Sequence, residues 1–582
     1  MDAPLNLVSK GSLIYAALTA VFVISGYSLV FAEFHRIQVK GEANASEKDM
    51  NYRDRLTATR GLILDREGRR FAVSYLSWVL SINPAKIPEK KRAKIWCELM
   101  EFDVFDGELV RNVLSKTNNH YYAIGYTKND DLVAAIRTNA VLKNIVSRDK
   151  SDSREYPMQR QASHIIGAVN SSGVGLDGAE KTFDKWLVGT NGIEKGRKNE
   201  GGKLIPYMQY ETVEAVDGAS VYLTIDRNVQ DIVETALDEW MEKTRAELSW
   251  VVVQNPKTGE ILAMASRPDY DPADYNSSPQ EHHRNRAVFE NHEPGSILKP
   301  LTFAAALEEK LVRPDTVIDV PDIPYGGGRI GESHTIPGNK LTLTEAMKIS
   351  SNRAAARCAS WLGRDRFEAY MRDFGMSEHP GSGLLGESRG RIAYGNIWSE
   401  MDLTRRGFGQ GLDVTALQMS MAYSALANGG AMMWPAILSR IEKANGEIVY
   451  EHVPTVKHRP VSEKTARETV AMMCTVTGPE GTAPRARIPG YSVAGKTGTA
   501  QIAEESGGYN DRDYTASFAG FFPASDPQIV IVIGLYKARD KTDGDRQIQY
   551  HYGGLSAAPF FAQIGEKIAR QLRIIPDLPH EL

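Results

Sequence analysis

Three short patterns along this 582-residue chain set a hydroxyl beside a basic or amide side chain. Ser296-Ile297-Leu298-Lys299 reads S-x-x-K, Ser350-Ser351-Asn352 reads S-x-N, and Lys496-Thr497-Gly498-Thr499 reads K-T-G-T. A serine hydroxyl is a weak nucleophile until a neighbouring base takes its proton. Lysine is such a base only when neutral. Burial and a second nearby cation both lower its pKa, and Lys496 is the candidate cation. Attack on a carbonyl then needs two donors for the oxyanion, and the backbone N–H groups of Ser296 and Thr499 are the candidates. Ser350 can relay a proton to a leaving amine, and Asn352 can hold a substrate amide. The Thr497 and Thr499 hydroxyls beside Lys496 suit a substrate carboxylate, while Gly498 and Ala500 leave room for an extended substrate strand. The chemistry these residue types imply is acyl transfer through Ser296.

Each pattern alone is weak, because the chain contains a second copy of all three: Ser147 to Lys150, Ser81 to Asn83, and Lys257 to Gly259. Those copies have plain readings. Ser147 and Lys150 belong to the charged surface run SRDKSDSRE, Ser81 leads into a proline loop, and Lys257 to Gly259 is a hairpin turn. The 296–299 copy differs in context. HEPGSILKP runs into LTFAAALEEKL, a strong helical stretch. Gly295 permits close backbone approach, and Ser296 falls at the helix start. Positions i and i+3 share a helix face, so Lys299 can reach the Ser296 hydroxyl. Pro300 removes the amide that would bond the Ser296 carbonyl, an irregularity that belongs near a helix start.

The elements that must hold these residues follow from periodicity. RGLILDREGRRFAVS, Arg60 to Ser74, reads as strand, turn, strand, with Asp65 and Arg66 as turn residues. Val221 to Ile225 is a strand, and Asp226 caps a helix whose apolar residues Val229, Ile232, Val233, Ala236, Leu237 and Trp240 keep helical spacing. SWVVVQ and EILAMAS form a hairpin through Asn255 to Gly259. Three strand-like runs lie between Tyr491 and Tyr536, and a last helix covers Ala557 to Leu572. Strands at both ends with helices between them predict an α+β fold, one sheet built from distant segments with helices packed on it.

Composition excludes several classes. With 69 basic and 73 acidic residues the net charge is −4, so no basic face for nucleic acid is expected. Cys97, Cys358 and Cys474 are too few and too far apart for a disulfide framework or metal cluster, and HExxH and CxxC are absent; no metal or cofactor is assigned. His282 and His283 sit in the charged run EHHRNR and read as solvated. Gly11 to Ala32 carries no charge, and as a helix it would be about 33 Å long, enough to cross a bilayer. It exceeds a usual signal core and no clear A-x-A site follows it, so it reads as a retained anchor. Lys10 precedes it while Arg36 and Lys40 follow, which leaves the orientation undecided by charge.

The ordered trio is the one shared by class A β-lactamases and penicillin-binding proteins. Other segments narrow the match: RGLILDREGRRFAVS; REYPMQRQASHIIGAVN and GLDGAEKTFDKWLVGTNG between Arg154 and Gly192; GFGQGLDVTALQMSMAYSALANGG from Gly407 to Gly430; and YTASFAGFFPASDPQIVIVI with YGGLSAAPFF near the end. Over nearly its whole length the chain resembles the class B penicillin-binding proteins, peptidoglycan D,D-transpeptidases of the division (FtsI) type.

That resemblance implies an antiparallel sheet flanked by helices with an all-helical lobe. It also implies a cytoplasmic tail (1–10), one anchor helix (11–32) starting inside, a periplasmic dimerisation-like pedestal (33–220) and a transpeptidase domain (221–582). Ser296 would attack the carbonyl of a stem peptide's penultimate D-alanine, and a neighbouring stem-peptide amine would resolve the acyl-enzyme. β-Lactams would acylate Ser296. An FtsW-type glycan polymerase and small bitopic division proteins would be the partners. Two positions depart from the family: Ile297, where threonine is frequent, and Arg353 before Ala354-Ala355, where small residues are usual. A class A β-lactamase would need an E-x-x-L-N loop, and the sole Leu-Asn pair is Leu5-Asn6. A D,D-carboxypeptidase differs only in accepting water. Asn352 and the pedestal segments favour division over elongation type, and the intact trio argues against a non-catalytic sensor.

Overall fold

The computed structural model describes residues 10–38, 51–197, 211–322, 324–325, 328–332, 336–392, 399–503, 509–543 and 546–579. They group into two compact units. One comprises Met1–Thr57 with Asn191–Ala215. It contains helix α1 (Lys10–Gln38) and a small antiparallel sheet in which Gly192–Arg197 pairs with Asn51–Leu56 on one side and Glu211–Val213 on the other. Along α1 the described apolar side chains, among them Ile14, Leu18, Phe22, Tyr27 and Phe31, are all exposed. Residues 1–9 of the expected tail lie outside the described residues. Counting only described residues, no helix is long and apolar enough to cross a membrane. The uncharged run of the sequence also includes Gly11, Ser12, Leu13 and Ala16, whose side chains are outside that set.

The second unit, Ala58–Thr190 with Val216–Leu582, carries all three patterns. In chain order its principal elements are α2 (Arg227–Thr244), β1 (Leu248–Gln254), β2 (Ile261–Arg267), α3 (Lys299–Glu308), α4 (Asn352–Leu362), α5 (Ala416–Ala427), α6 (Glu463–Val476), β3 (Ala494–Ala503), β4 (Tyr509–Phe522), β5 (Ile529–Tyr536) and α7 (Ala557–Gln571). The five strands form one antiparallel sheet in the order β2-β1-β5-β4-β3. Strands before Arg267 and after Ala494 thus meet in one sheet, as the alternation of strand and helix predicts. Its middle strands are apolar on both faces because both are covered: α2 and α7 pack against it, and so does α5. All twelve residues of α5 are buried, which suits a helix apolar around its whole circumference. Asp226 caps α2 as expected, accepting from the N–H groups of Asn228 (2.9 Å) and Val229 (3.2 Å). Trp240 stacks on Phe560 of α7 and donates to Gln563 at 2.8 Å.

A second sheet of seven strands holds the hairpin predicted from Arg60 to Ser74. Ile63–Leu64 pairs with Arg70–Ile82 and runs parallel to Ser220–Leu223, which in turn pairs with Leu438–Glu442. Residues on both sides of position 220 therefore share this sheet. Asp65 is fully buried in the turn, accepting from the N–H groups of Glu67 and Arg69 and from the Arg69 guanidinium. A separate small core, from Leu80 to Val146, closes the far part of this region.

Candidate active site

Ser296 sits in a 3-10 turn, Gly295–Leu298, that leads directly into α3. The Ser296 carbonyl accepts from the N–H of Lys299. It has no donor four residues on, because that residue is Pro300, and the tight turn is the local answer. Gly295 adopts φ +54, and its N–H donates to the Gly409 carbonyl at 3.0 Å. A Cβ there would lie 3.1 Å from the Cβ of Ala500, so glycine lets the turn lie against β3. From the other side the Tyr423 hydroxyl of α5 donates to the Ile297 carbonyl at 2.7 Å. The turn is thereby held by α5 and β3 together, and Ser296 is left half-buried.

Lys299 and Lys496 are both fully buried. The Lys299 amine donates to the Ser350 carbonyl (2.6 Å) and to Oδ1 of Asn352 (2.7 Å), and lies 3.0 Å from the Ser350 hydroxyl. Lys496 donates to the same Ser350 hydroxyl at 2.8 Å and to the Thr497 carbonyl at 3.1 Å. Ser350 itself is held at φ +63, a left-handed conformation that costs a serine about 1–2 kcal/mol. No hydrogen bond joins Lys299 to Ser296, although one helical face was expected to bring them together. The three Lys299 bonds go to the S-x-N segment instead.

Burial pushes the Lys299 amine down to about 7, against the opposing charge of Glu332. Lys496 is pushed well below the ordinary lysine range by burial and then by the charge of Lys299. The sequence suggested the reverse direction, Lys496 acting on Lys299. Both amines meet at the Ser350 hydroxyl, so a charge on one disfavours a charge on the other. A serine hydroxyl can accept from one ammonium while donating to one neutral amine. The arrangement therefore suits a lysine pair that holds one proton fewer than two ammonium groups would.

Lys496, Thr497, Gly498 and Thr499 lie on β3, the edge of the five-stranded sheet. Edge position leaves one side of its backbone without a strand partner. The Thr497 hydroxyl lies 3.1 Å from that of Thr482, and the Thr499 hydroxyl accepts from the N–H of Gly553 at 3.3 Å. A Cβ on Gly498 would meet Ser517 Oγ at 2.2 Å, Ile297 Cγ2 at 3.1 Å and the Pro294 carbonyl at 3.2 Å. The room this glycine makes is occupied by the Ser296 turn, where the sequence suggested a substrate strand.

Two residues not singled out for the site complete it. Glu332 accepts from Ser351 Oγ (2.6 Å) and from the N–H groups of Asn352 and Arg353 (both 2.9 Å). No pattern in GRIGES flags it, because its partners lie about twenty residues downstream. Arg353, the departure noted above, is buried; it donates to the Ile330 carbonyl at 2.9 Å and pairs with Asp322 at 2.6 Å. It secures the segment that carries Glu332. His282 and His283 are half-buried rather than solvated: His283 stacks on Tyr275 at 3.8 Å, and His164 bonds the His282 carbonyl at 2.8 Å. The run is charged in sequence, but folding lays it against an aromatic cluster. Among the described residues no group of histidine, cysteine and acidic side chains is arranged to hold a metal ion.

Comparison with known proteins identifies the family. The model of the penicillin-binding protein transpeptidase domain matches residues 249–566, and that of the penicillin-binding protein dimerisation domain matches residues 55–223. The penicillin-binding protein PbpB of Mycolicibacterium smegmatis is 31% identical, over 94% of this chain and 88% of that protein. The peptidoglycan D,D-transpeptidase FtsI of Escherichia coli is 30% identical, over 90% and 85% respectively. The crystal structure of penicillin binding protein 3 from Mycobacterium tuberculosis, complexed with aztreonam, superposes with a TM-score of 0.68 at 27% identity, covering 91% of this chain and 99% of that one. The chain belongs to the penicillin-binding protein transpeptidase family and carries that family's dimerisation domain.

Proposed function

We propose that this protein is a peptidoglycan D,D-transpeptidase of septal cell-wall synthesis, working through a Ser296 acyl-enzyme. The observation that carries the reading is the Ser350 hydroxyl held between the amines of Lys299 and Lys496 at 3.0 and 2.8 Å, beside the turn that bears Ser296. Neutral Lys299 takes the Ser296 proton as Oγ attacks the carbonyl of the penultimate D-alanine. The N–H groups of Ser296, in the first turn, and Thr499, on the edge strand, receive the oxyanion. The C–N bond to the terminal D-alanine then breaks. Its nitrogen takes a proton through Ser350 from the lysine pair, which returns the amines to their starting state. The resulting ester is attacked by an amine of a second stem peptide; the new amide forms and Ser296 regains its proton. Thr497 and Thr499 hold the substrate carboxylate, and Asn352 its amide.

The same route makes Ser296 the site of β-lactam acylation. Labelled penicillin followed by peptide mapping is the direct test. Adduct on the peptide holding Ser296, and its loss in Ser296→Ala, is expected; adduct elsewhere, or persisting in Ser296→Ala, overturns the assignment.

The uncharged run from Gly11 to Ala32, which makes up most of α1, supports a single-pass anchor in the cytoplasmic membrane with the remainder outside. On this reading the chain divides into tail (1–10), anchor (11–32), pedestal (33–220) and transpeptidase domain (221–582). An FtsW-type glycan polymerase and small bitopic division proteins are the implied partners. Depleting the protein from its source cell is expected to produce filaments; round cells would instead assign it to elongation.

A further inference from the structure

We infer that Glu332 is a positioning residue of the acyl-transfer site: its carboxylate locks the start of α4, and with it Ser350 and Asn352, against Lys299, and places a negative charge beside the lysine pair. The inference rests on the function proposed above.

The geometry is specific. One carboxylate oxygen accepts from Ser351 Oγ and the Arg353 N–H, and the other accepts from the Asn352 N–H. Those are N–H groups of the first turn of α4, which have no acceptor within the helix, and a carboxylate there also opposes the helix dipole favourably. The neighbouring Gly331 carbonyl accepts from Nδ2 of Asn352 at 2.8 Å. With one of its N–H groups bonded there, the amide has its oxygen turned to Lys299, from which it accepts at 2.7 Å. Arg353 ties the same segment back through Ile330 and Asp322. Two consecutive residues, Gly331 and Glu332, thus set the rotamer of Asn352 and fix the backbone from Ser351 to Arg353, directly after left-handed Ser350.

Among the described residues the charged groups tied to Lys299 are Lys496 from β3, through the shared Ser350 hydroxyl, and Glu332 from this segment; Arg353 on α4 is matched by Asp322. Glu332 favours the protonated form of Lys299. The base must be neutral to act, so removing the Glu332 charge moves the rising limb of the pH profile to lower pH. A group that only stabilised the fold would change the amount of active protein and leave that limb in place.

The test is the second-order rate of acylation by fluorescent penicillin, on the full-length membrane-anchored protein, from pH 5 to 9. Rates are normalised to the Ser296 adduct formed at completion. Glu332→Gln is expected to react about tenfold more slowly at the plateau, with its rising limb moved to lower pH. Glu332→Asp keeps the charge on a shorter arm; its limb should stay in place while its plateau rate falls by a smaller factor. The inference is overturned if the Glu332→Gln profile superimposes on the parental one after normalisation, or if its limb does not move. Should Glu332→Gln yield no folded protein, Glu332→Asp decides: a parental plateau rate overturns the inference, and a reduced one with an unmoved limb upholds it. If the parental protein itself forms no Ser296 adduct, the proposed function fails instead, and the two failures are distinct.

Discussion

Ser147 and Lys150 stand on the Val146–Glu155 strand, whereas Ser296 and Lys299 span a 3-10 turn and the first residue of α3. The letters are the same in both places. On a strand, side chains alternate, so positions i and i+3 point to opposite faces and cannot cooperate. Ser147 accordingly bonds Asp149 at 2.8 Å, and exposed Lys150 lies 5.0 Å over the Trp78 ring. On a helical turn the pair shares a face, and α3 is buried so thoroughly that Lys299 retains no exposed surface. The second K-T-G differs in the same way from the first. Lys257 to Gly259 closes a hairpin, with Gly259 at φ +79 and Lys257 paired to Asp526 at 2.6 Å. Among the described residues Lys496 pairs with no carboxylate, and it points at a hydroxyl already shared with another lysine. What sets the 299 and 496 copies apart is the burial of two amines around one serine, and four-letter spacing alone does not supply that.

The comparison can be broken in decreasing order of effect. Replacing the base in each copy should separate them most. Lys299→Ala is expected to slow penicillin acylation about a thousandfold, the usual scale for losing a general base, while Lys150→Ala reacts at the parental rate. Equal rates for Lys299→Ala and parent would remove Lys299 from the mechanism. Next is pH. Because the Lys299 amine is lowered to about 7, its neutral, reactive form predominates above that value and is lost below it. The acylation rate should therefore reach a plateau above about pH 8 and fall about tenfold for each unit well below 7. A rate independent of pH between 5 and 8 would contradict a lysine base.

The smallest effects should come from the glycines. Gly498→Ala puts a methyl 2.2 Å from Ser517 Oγ and against the Ser296 turn, so acylation should slow about tenfold. Gly259→Ala meets the Trp434 carbonyl at 2.1 Å in a left-handed turn; it should lower stability by about 1–2 kcal/mol from the backbone alone and leave the rate per acylable site unchanged. Thermal unfolding and acylation measured together distinguish the two. If Gly259→Ala slowed chemistry and Gly498→Ala did not, the assignment of the two copies would be reversed.

Much of the scaffold was legible because it is local. The Asp226 cap, the hairpin between β1 and β2 and the helix from Ala557 depend on residues within a few positions of one another, and the sequence carries their signals directly. The same holds for the start of α3, where Pro300 and Gly295 announce an irregular turn. His282 and His283 were misread for the opposite reason: their setting is made by Tyr275 and His164, from outside the run.

By itself, then, the sequence determined the chemistry available. It held a serine and a lysine at helical spacing, a hydroxyl-amide pair and a lysine on an extended segment, in an order that resembles one family. Tertiary structure alone decided how they are wired. Lys299 meets Ser350 across 51 positions and Lys496 meets it across 146. Gly498 makes room for the Ser296 turn, and Glu332 secures the start of α4. A lysine's pKa depends on how completely water is removed and on which charges remain nearby. Both are set by segments that come together only when β3 joins the sheet and α3, α4 and α5 close around it, so no local pattern could announce them.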